Sequence, residues 1–248
     1  DRVKLLRLSS NSGVSVASNA GIAAASGELI AFLDADDEWL PGKLATQAAV
    51  LRKCPNATMV VTGCRFLDAS DCVLRDEREA PDVPASEIWR LLLARTLIAR
   101  PSVLARADAL RAAGPFDTQL AVGEDQDMWI RLALLGEVMF VPDVLTVVHE
   151  TAGSLTKRHA DTADRYLLPM IRHHVDQQRH RLSRREIKVI LGERYTTVGR
   201  NLYAAGAARR GALLLAHAML LGHHVLDNLW YLLTASPPSR TVKRMLRW

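Results

Sequence analysis

At 248 residues the chain can bury a proper core as one large domain or two small ones. Its make-up, 49% hydrophobic and 24% charged, is ordinary for a soluble protein, and Cys54, Cys64 and Cys72 are too few and wrongly spaced for a disulfide framework or a zinc pattern. The net charge of +5 hides an asymmetry: residues 157–248 hold 17 Lys/Arg against 6 Asp/Glu, or +11, while residues 1–156 hold 15 against 21, or −6.

The acidic part suits a metal-dependent site, and the basic part could face an anionic surface of lipid or nucleic acid. The cysteines read as buried or free thiols in a reducing compartment. The opening Asp1-Arg2-Val3-Lys4 carries no apolar run, so no signal peptide is expected here.

In chain order, Val3 to Leu8 reads as a short strand and Ser9 to Gly13 as a loop. Val14 to Ser26 reads as a helix closed by Gly27. Leu29 to Leu33 is a short apolar run, read as a strand buried on both faces. Pro41 suits the first position of a helix running to about Lys53. Ala57 to Thr62 is a further strand. This alternation predicts an α/β fold with a parallel sheet and crossovers.

Residues 63–86 read as a polar loop or hairpin. Glu87 to Leu97 reads as a helix, Ser102 to Ala105 as a short apolar segment, and Ala107 to Ala113 as a helical turn ended by Gly114-Pro115. Asp125 to Leu135 is a helix ended by Gly136, followed by short strands at Val138 to Val141 and Val144 to Val148. Beyond about residue 160 the pattern is helical, near 163–180, 184–205 and 208–233. Pro237-Pro238 then precedes a basic tail, Arg240 to Trp248. The apolar stretch Ala212 to Leu221 is too short to span a bilayer. It reads as part of a packed helical hairpin, with peripheral membrane contact as the alternative.

Three places carry chemistry. Leu29-Ile30-Ala31-Phe32-Leu33 runs straight into Asp34-Ala35-Asp36-Asp37, and ligands in open α/β sheets bind beyond the carboxyl ends of strands. Clustered carboxylates repel unless a cation or substrate compensates, so Asp34 and Asp36 are candidate ligands for a hard divalent ion. The competing reading is solvated loop acids or a helix cap ahead of Pro41. Glu124-Asp125-Gln126-Asp127 is a second acid cluster opening a helix. Dipole capping explains such acids, but so does a general base. His149 ends a strand, either as a structural residue or as a metal or phosphate contact. The adjacent pairs His173-His174 and His223-His224 would diverge on a helix and read as surface or packing residues.

Taken as an ordered set, these motifs resemble a family 2 glycosyltransferase of the GT-A fold over about residues 3–156. Asn11-Ser12-Gly13-Val14-Ser15 with Asn19-Ala20-Gly21-Ile22 resembles the family's Asn-x-Gly and Ala-Arg-Asn-x-Gly segment. Gly27 through Asp34-Ala35-Asp36-Asp37-Glu38-Trp39-Leu40-Pro41 resembles its central signature. Gly114-Pro115-Phe116-Asp117 resembles the Gly-Gly-Phe-Asp turn. Glu124-Asp125-Gln126-Asp127-Met128-Trp129-Ile130-Arg131-Leu132 resembles the Glu-Asp-x-Asp-x-Trp-x-Arg-Leu motif. His149 with Ser154-Leu155-Thr156 resembles the closing segment.

The resemblance implies a mostly parallel Rossmann-like GT-A domain over residues 1–156, N-terminally incomplete, followed by an all-helical basic extension over 157–248. It implies inverting sugar transfer from a nucleotide-diphosphate donor to an acceptor hydroxyl, as in polysaccharide biosynthesis. By position, Asp34 and Asp36 would hold Mg²⁺ or Mn²⁺ and the donor, with Asn19 and His149 as further donor-binding candidates. Asp125 would be the general base, with Glu124 beside it positioning the acceptor. Implied partners are the nucleotide-sugar donor and a saccharide or lipid-linked acceptor. The basic half adds peripheral membrane contact and implies a cytoplasmic location, facing the inner side of the membrane. No nucleic-acid motif is present.

Two departures qualify this. The family's Arg before Asn is Ser18 here. The family's opening strand, helix and Val-Asp-Asp-Gly-Ser segment has no counterpart, so a longer polypeptide or a truncated product is expected. The alternative is a catalytically inactive remnant or helical interaction module. Acceptor specificity is expected in residues 63–100 and in the helical half. Leu191-Gly192 to Ala218 resembles one degenerate tetratricopeptide unit, too little for an array.

Overall fold

The computed structural model describes residues 3–150 and 161–235. Ser154-Leu155-Thr156, Pro237-Pro238 and the basic tail lie outside the described residues. The described chain forms two compact units. One draws on residues 3–89, 97–120 and 124–150, and the other on 90–96, 121–123 and 161–235.

The first unit is α/β. Its elements are α1 (Gly13–Ala24), β1 (Leu29–Ala31), β2 (Glu38–Trp39), α2 (Lys43–Lys53), β3 (Ala57–Leu67) and β4 (Val73–Glu77). After α3 (Ile88–Ala94), most of which belongs to the second unit, they continue with β5 (Val103–Arg106), α4 (Ala107–Ala113), α5 (Glu124–Leu135) and β6 (Glu137–His149). Strand order is β1-β5-β3-β6-β2, with β4 hairpinned onto β3. β5 is antiparallel to both β1 and β3, while β3 and β6 are parallel. So β1, β3 and β6 share one direction, as the crossover pattern predicts, and β5 is inserted between β1 and β3 against them. β3 is the spine: residues 57–64 are all buried, as its uninterrupted apolar run requires. Leu51, Ala57, Val60, Leu104 and Val141 pack together around it. Gly63 fits where the β3–β6 register shifts, because a Cβ there would lie 3.0 Å from the Pro142 carbonyl and 3.1 Å from Glu77 O.

Two local expectations change. Val3 to Leu8 pairs with no strand, and Val3 and Leu5 are 85% and 75% exposed. A strand needs a neighbour to satisfy its backbone, and the sheet's pairing at this end stops at β1. For the same reason β1 is shorter and wetter than its apolar sequence implies. Leu29, Ile30 and Ala31 are half-buried and only Phe32 is fully covered. The polar stretch after Thr62 takes the hairpin form of its reading, since β3 runs on to Leu67 and turns back through β4.

The second unit is helical: α6 (Ala163–Gln177), α7 (Arg184–Ala204), α8 (Ala208–Leu220) and α9 (Val225–Thr234). Leu168, Tyr195, Val198, Leu202 and Ala218 form its core. A capping box starts α7, with the Glu186 amide donating to Ser183 Oγ and the Ser183 amide to Glu186 Oε2. Buried Arg194 ties α7 to residues 92–96 by donating to Leu93 O at 2.7 Å and Thr96 Oγ1 at 3.2 Å. Among the described residues no helix is long and apolar enough to cross a membrane.

Candidate active site

The two acid clusters, 90 residues apart in sequence, meet in the first unit. The physical cause is an aromatic triangle with one corner from each motif. Phe32 follows β1, Phe116 lies in the Gly114-Pro115 turn, and Trp129 sits on α5. Their ring centroids are 5.6 Å (Phe32–Phe116), 5.6 Å (Phe32–Trp129) and 6.2 Å (Phe116–Trp129) apart, all edge-to-face. All three are buried.

Polar clamps fix the corners. Asn19 on α1 donates to Phe116 O at 2.9 Å and accepts from the Phe116 amide at 2.7 Å. Arg131 pairs with Asp127 one turn earlier on α5 and donates to the carbonyls of Ala113, Gly114 and Pro115. Asp127 and Arg131 therefore build the turn rather than face a ligand.

Arg100 occupies the space between the clusters. Its guanidinium lies 3.9 Å from Asp34 Oδ1 and 3.8 Å from Glu124 Oε1, and it donates to Ser18 Oγ. It also lies over the Phe32 and Phe116 rings, at 5.6 and 5.2 Å. Arg100 is 8% exposed, so its charge acts through little water. The sequence reading missed it. The only local signal is a lone arginine between Leu97-Ile98-Ala99 and Pro101.

Electrostatics follow burial. Burial raises the Asp34 pKa above the usual carboxylate range, with Arg100 opposing and Asp36 adding to the rise. Glu124 is pushed up to about 7, first by burial and then by the neighbouring Asp125 charge. Asp125 is likewise raised by burial, against a hydrogen bond from the Gln126 amide at 2.6 Å. Asp37 is raised to about 6 by burial, although it accepts from the His149 amide at 3.0 Å.

Asp36 is exposed at the turn, and no protein partner meets it among the described residues. Three carboxylates within four residues, two of them forced toward the neutral form, fit a hard divalent cation on oxygen donors. His149 reaches the same turn, but its imidazole is engaged, with Nε2 3.1 Å from Glu38 Oε1 and Nδ1 3.7 Å from Asp71 Oδ1. Beside Asp34 and Arg100 lies a groove of about 530 Å³ along α1 and β1, lined by Val14, Ser18, Ile22, Leu29 and Ala31 among others.

The structure thus brings together Asp34, Asp36, Glu124, Asp125 and Arg100, with Asn19 beneath them and His149 at the rim. This order of motifs has a counterpart among known proteins. The family model for glycosyl transferase family 2 matches residues 1–102. Residues 1–102 are thus similar to that family.

Curated relatives agree. A protein named as an uncharacterized glycosyltransferase of Rickettsia felis is 29% identical over 149 residues, covering 58% of this chain and 25% of its own length. The Escherichia coli glycosyl transferase WcaA, named for colanic acid biosynthesis, is 29% identical over 160 residues, covering 62% of this chain and 54% of its own length. The chain therefore spans a quarter to about half of these relatives. Among solved structures, the Pyrobaculum calidifontis mannosyltransferase PcManGT, determined with GDP-Man and Mn²⁺, superposes with a TM-score of 0.50 at 20% identity. It covers 94% of this chain and 63% of its own. That likeness is one of fold: a GT-A-type α/β sheet with a helical C-terminal region.

Proposed function

We propose that the family 2 segment is the catalytic part of an inverting glycosyltransferase that moves a sugar from a nucleotide-diphosphate donor to an acceptor hydroxyl. In this reading residues 1–156 form the partial GT-A domain and 157–248 a basic helical extension. The observation that carries it is Arg100, which sits against a carboxylate of each acid cluster and so joins the two motifs into one site.

Asp36, with Asp34 beside it, would hold Mg²⁺ or Mn²⁺. The ion would supply Lewis-acid neutralisation of the departing diphosphate. The solved mannosyltransferase with Mn²⁺ and GDP-Man supports this choice of donor and ion. Asp125 takes the acceptor proton as the acceptor oxygen bonds to the anomeric carbon. The bond from that carbon to the diphosphate oxygen breaks on the opposite face, and its electron pair leaves with the diphosphate. A carboxylate whose pKa is raised by burial is a better base near neutrality. Glu124 accepts a hydrogen bond from the acceptor, and Arg100 keeps both acids from repelling the incoming donor. Asn19 serves by position, because both ends of its amide are committed to Phe116. His149 orders the Asp37–Glu38 turn that carries the acids.

The test is transfer and donor binding measured side by side with a panel of nucleotide sugars. Asp125→Asn should lower turnover by about 10²–10⁴-fold while leaving donor binding intact. Asp36→Ala should lose both. Full activity in both variants would remove the assignment.

The acceptor is a saccharide or a lipid-linked saccharide. Peripheral membrane contact is supported by α9, whose Leu226, Trp230 and Leu233 are 80%, 65% and 77% exposed.

A further inference from the structure

We propose that Glu193, His223 and His224 form a binding site for a zinc-type divalent transition-metal ion within the helical unit, separate from the oxygen-rich acids of the first unit. Glu193 lies on α7, and the two histidines lie in the turn between α8 and α9. Glu193 Oε1 is 3.6 Å from His223 Nε2 and 3.8 Å from His224 Nε2. One ligand atom from each residue lies within 4.8 Å of the other two.

Three independent features point to an ion. The first is an unsatisfied group. His223 Nε2 is buried, and with Glu193 Oε1 at 3.6 Å it makes no hydrogen bond of normal length, a cost that a metal bond would remove. The second is a buttress. His224 Nδ1 lies 3.2 Å from Asp227 Oδ2. A proton on Nδ1 meets that carboxylate, which would leave Nε2, the nitrogen facing Glu193, for a metal, as in carboxylate–histidine–metal arrangements.

The third is the backbone. Adjacent histidines on a helix diverge, but here His224 adopts φ +44°, an uncommon conformation for a residue with a side chain. The rings stand 4.3 Å apart as a result. Gly192 on α7 makes the approach feasible, since a Cβ there would lie 2.5 Å from His223 Cβ.

Two imidazoles and one carboxylate form a three-ligand zinc set with a fourth position for water. Nitrogen donors favour Zn²⁺, Co²⁺, Ni²⁺ or Cu²⁺ over Mg²⁺ and Ca²⁺. Zinc bonds of about 2.0–2.2 Å require the three side chains to close inward. His224 has room to do so, because its side chain is 43% exposed, and that exposure also gives the ion an entry path. Arg95 Nη2 donates to Glu193 Oε1 at 2.9 Å, so it orients the carboxylate and competes with the ion for that oxygen. Metal here would pin the α8–α9 turn to α7 and the 90–96 segment.

The experiment is a Zn²⁺ titration of the metal-free full chain against a chromogenic chelator, with Co²⁺ absorption as a report of tetrahedral coordination. The expected result is one Zn²⁺ per chain and visible Co²⁺ bands. His224→Ala should lose the bands and at least tenfold in affinity, and Asp227→Asn about tenfold. The Co²⁺ bands of Asp36→Ala and of His173→Ala, at an exposed histidine of α6, should match the wild type. His223→Ala would also disturb packing, so the more exposed His224 carries the test. No Zn²⁺ uptake by the wild type, equal uptake by His224→Ala, or loss in either control variant would overturn the proposal.

Discussion

Arg100 Nη1 lies 3.8 Å from Glu124 Oε1, which places a buried cation against the first acid of the second cluster. The same guanidinium donates to Ser18 Oγ. Position 18 is where the resembling family carries an arginine. The charge absent from α1 is supplied beside it by a residue from before β5.

Replacing Arg100 with methionine keeps much of the volume and removes the charge. Asp34 and Glu124 then lose the attraction that opposes their burial. We expect a loss of about 2–3 kcal/mol in denaturant unfolding, less than for a tightly bonded buried pair because the contacts are long. Glu124 should titrate above its present value of about 7, moving the pH–rate profile upward. An unchanged profile would show that Arg100 does not act on these acids.

Glu124 itself should cost stability at working pH. Its folded pKa, about 7, lies above the unfolded value of 4.5, so the folded chain holds the extra proton between them. That contribution is complete below pH 4.5 and is lost as pH rises through 7. Glu124→Gln should therefore flatten the fall in stability over this window and be more stable than wild type at pH 8, by roughly 1–2 kcal/mol. Parallel stability curves for the two proteins would contradict the shift.

Lys43 gives the opposite sign. It is buried, bonded to Gln47 at 2.9 Å and stacked over Trp39 at 4.5 Å, and burial lowers its pKa from 10.5 to about 8. The unfolded chain then holds more protons between pH 8 and 10.5, so stability rises with pH there. Cys64, pushed up to about 12 by burial, works the other way above its ordinary value of 9. The clean window is pH 8–9, where wild type should gain up to about 1 kcal/mol and Lys43→Met should gain none. Melts at these two pH values check it.

On α9, Trp230→Glu with Leu233→Glu should weaken sedimentation with anionic lipid vesicles about tenfold, since both side chains lie on its exposed apolar face. Unchanged sedimentation would remove α9 from any membrane contact.

What could be read from sequence was whatever is local. The step from Phe32-Leu33 to Asp34, and the helix opening at Glu124, are changes of pattern along the chain, and the site follows them. Arg100 carries no such mark, because its role depends on Phe32, Phe116 and Ser18 arriving from three other segments. Val3 to Leu8 looked like a strand because strand propensity is local, but pairing is not. His223 and His224 would diverge on a helix, whereas His224 adopts a left-handed conformation that breaks it. Asn19 lay in the right motif, and only the fold reveals that its amide is spent on Phe116.

The most direct measurement is Mn²⁺ binding, read by water-proton relaxation, with a panel of nucleoside diphosphates added to the full chain. The account predicts a ternary complex with at least one diphosphate in the wild type and in Asp125→Asn, and none in Asp36→Asn. Binding by Asp36→Asn equal to wild type, loss in Asp125→Asn, or no complex with the wild type would contradict the division of labour between the two acid clusters.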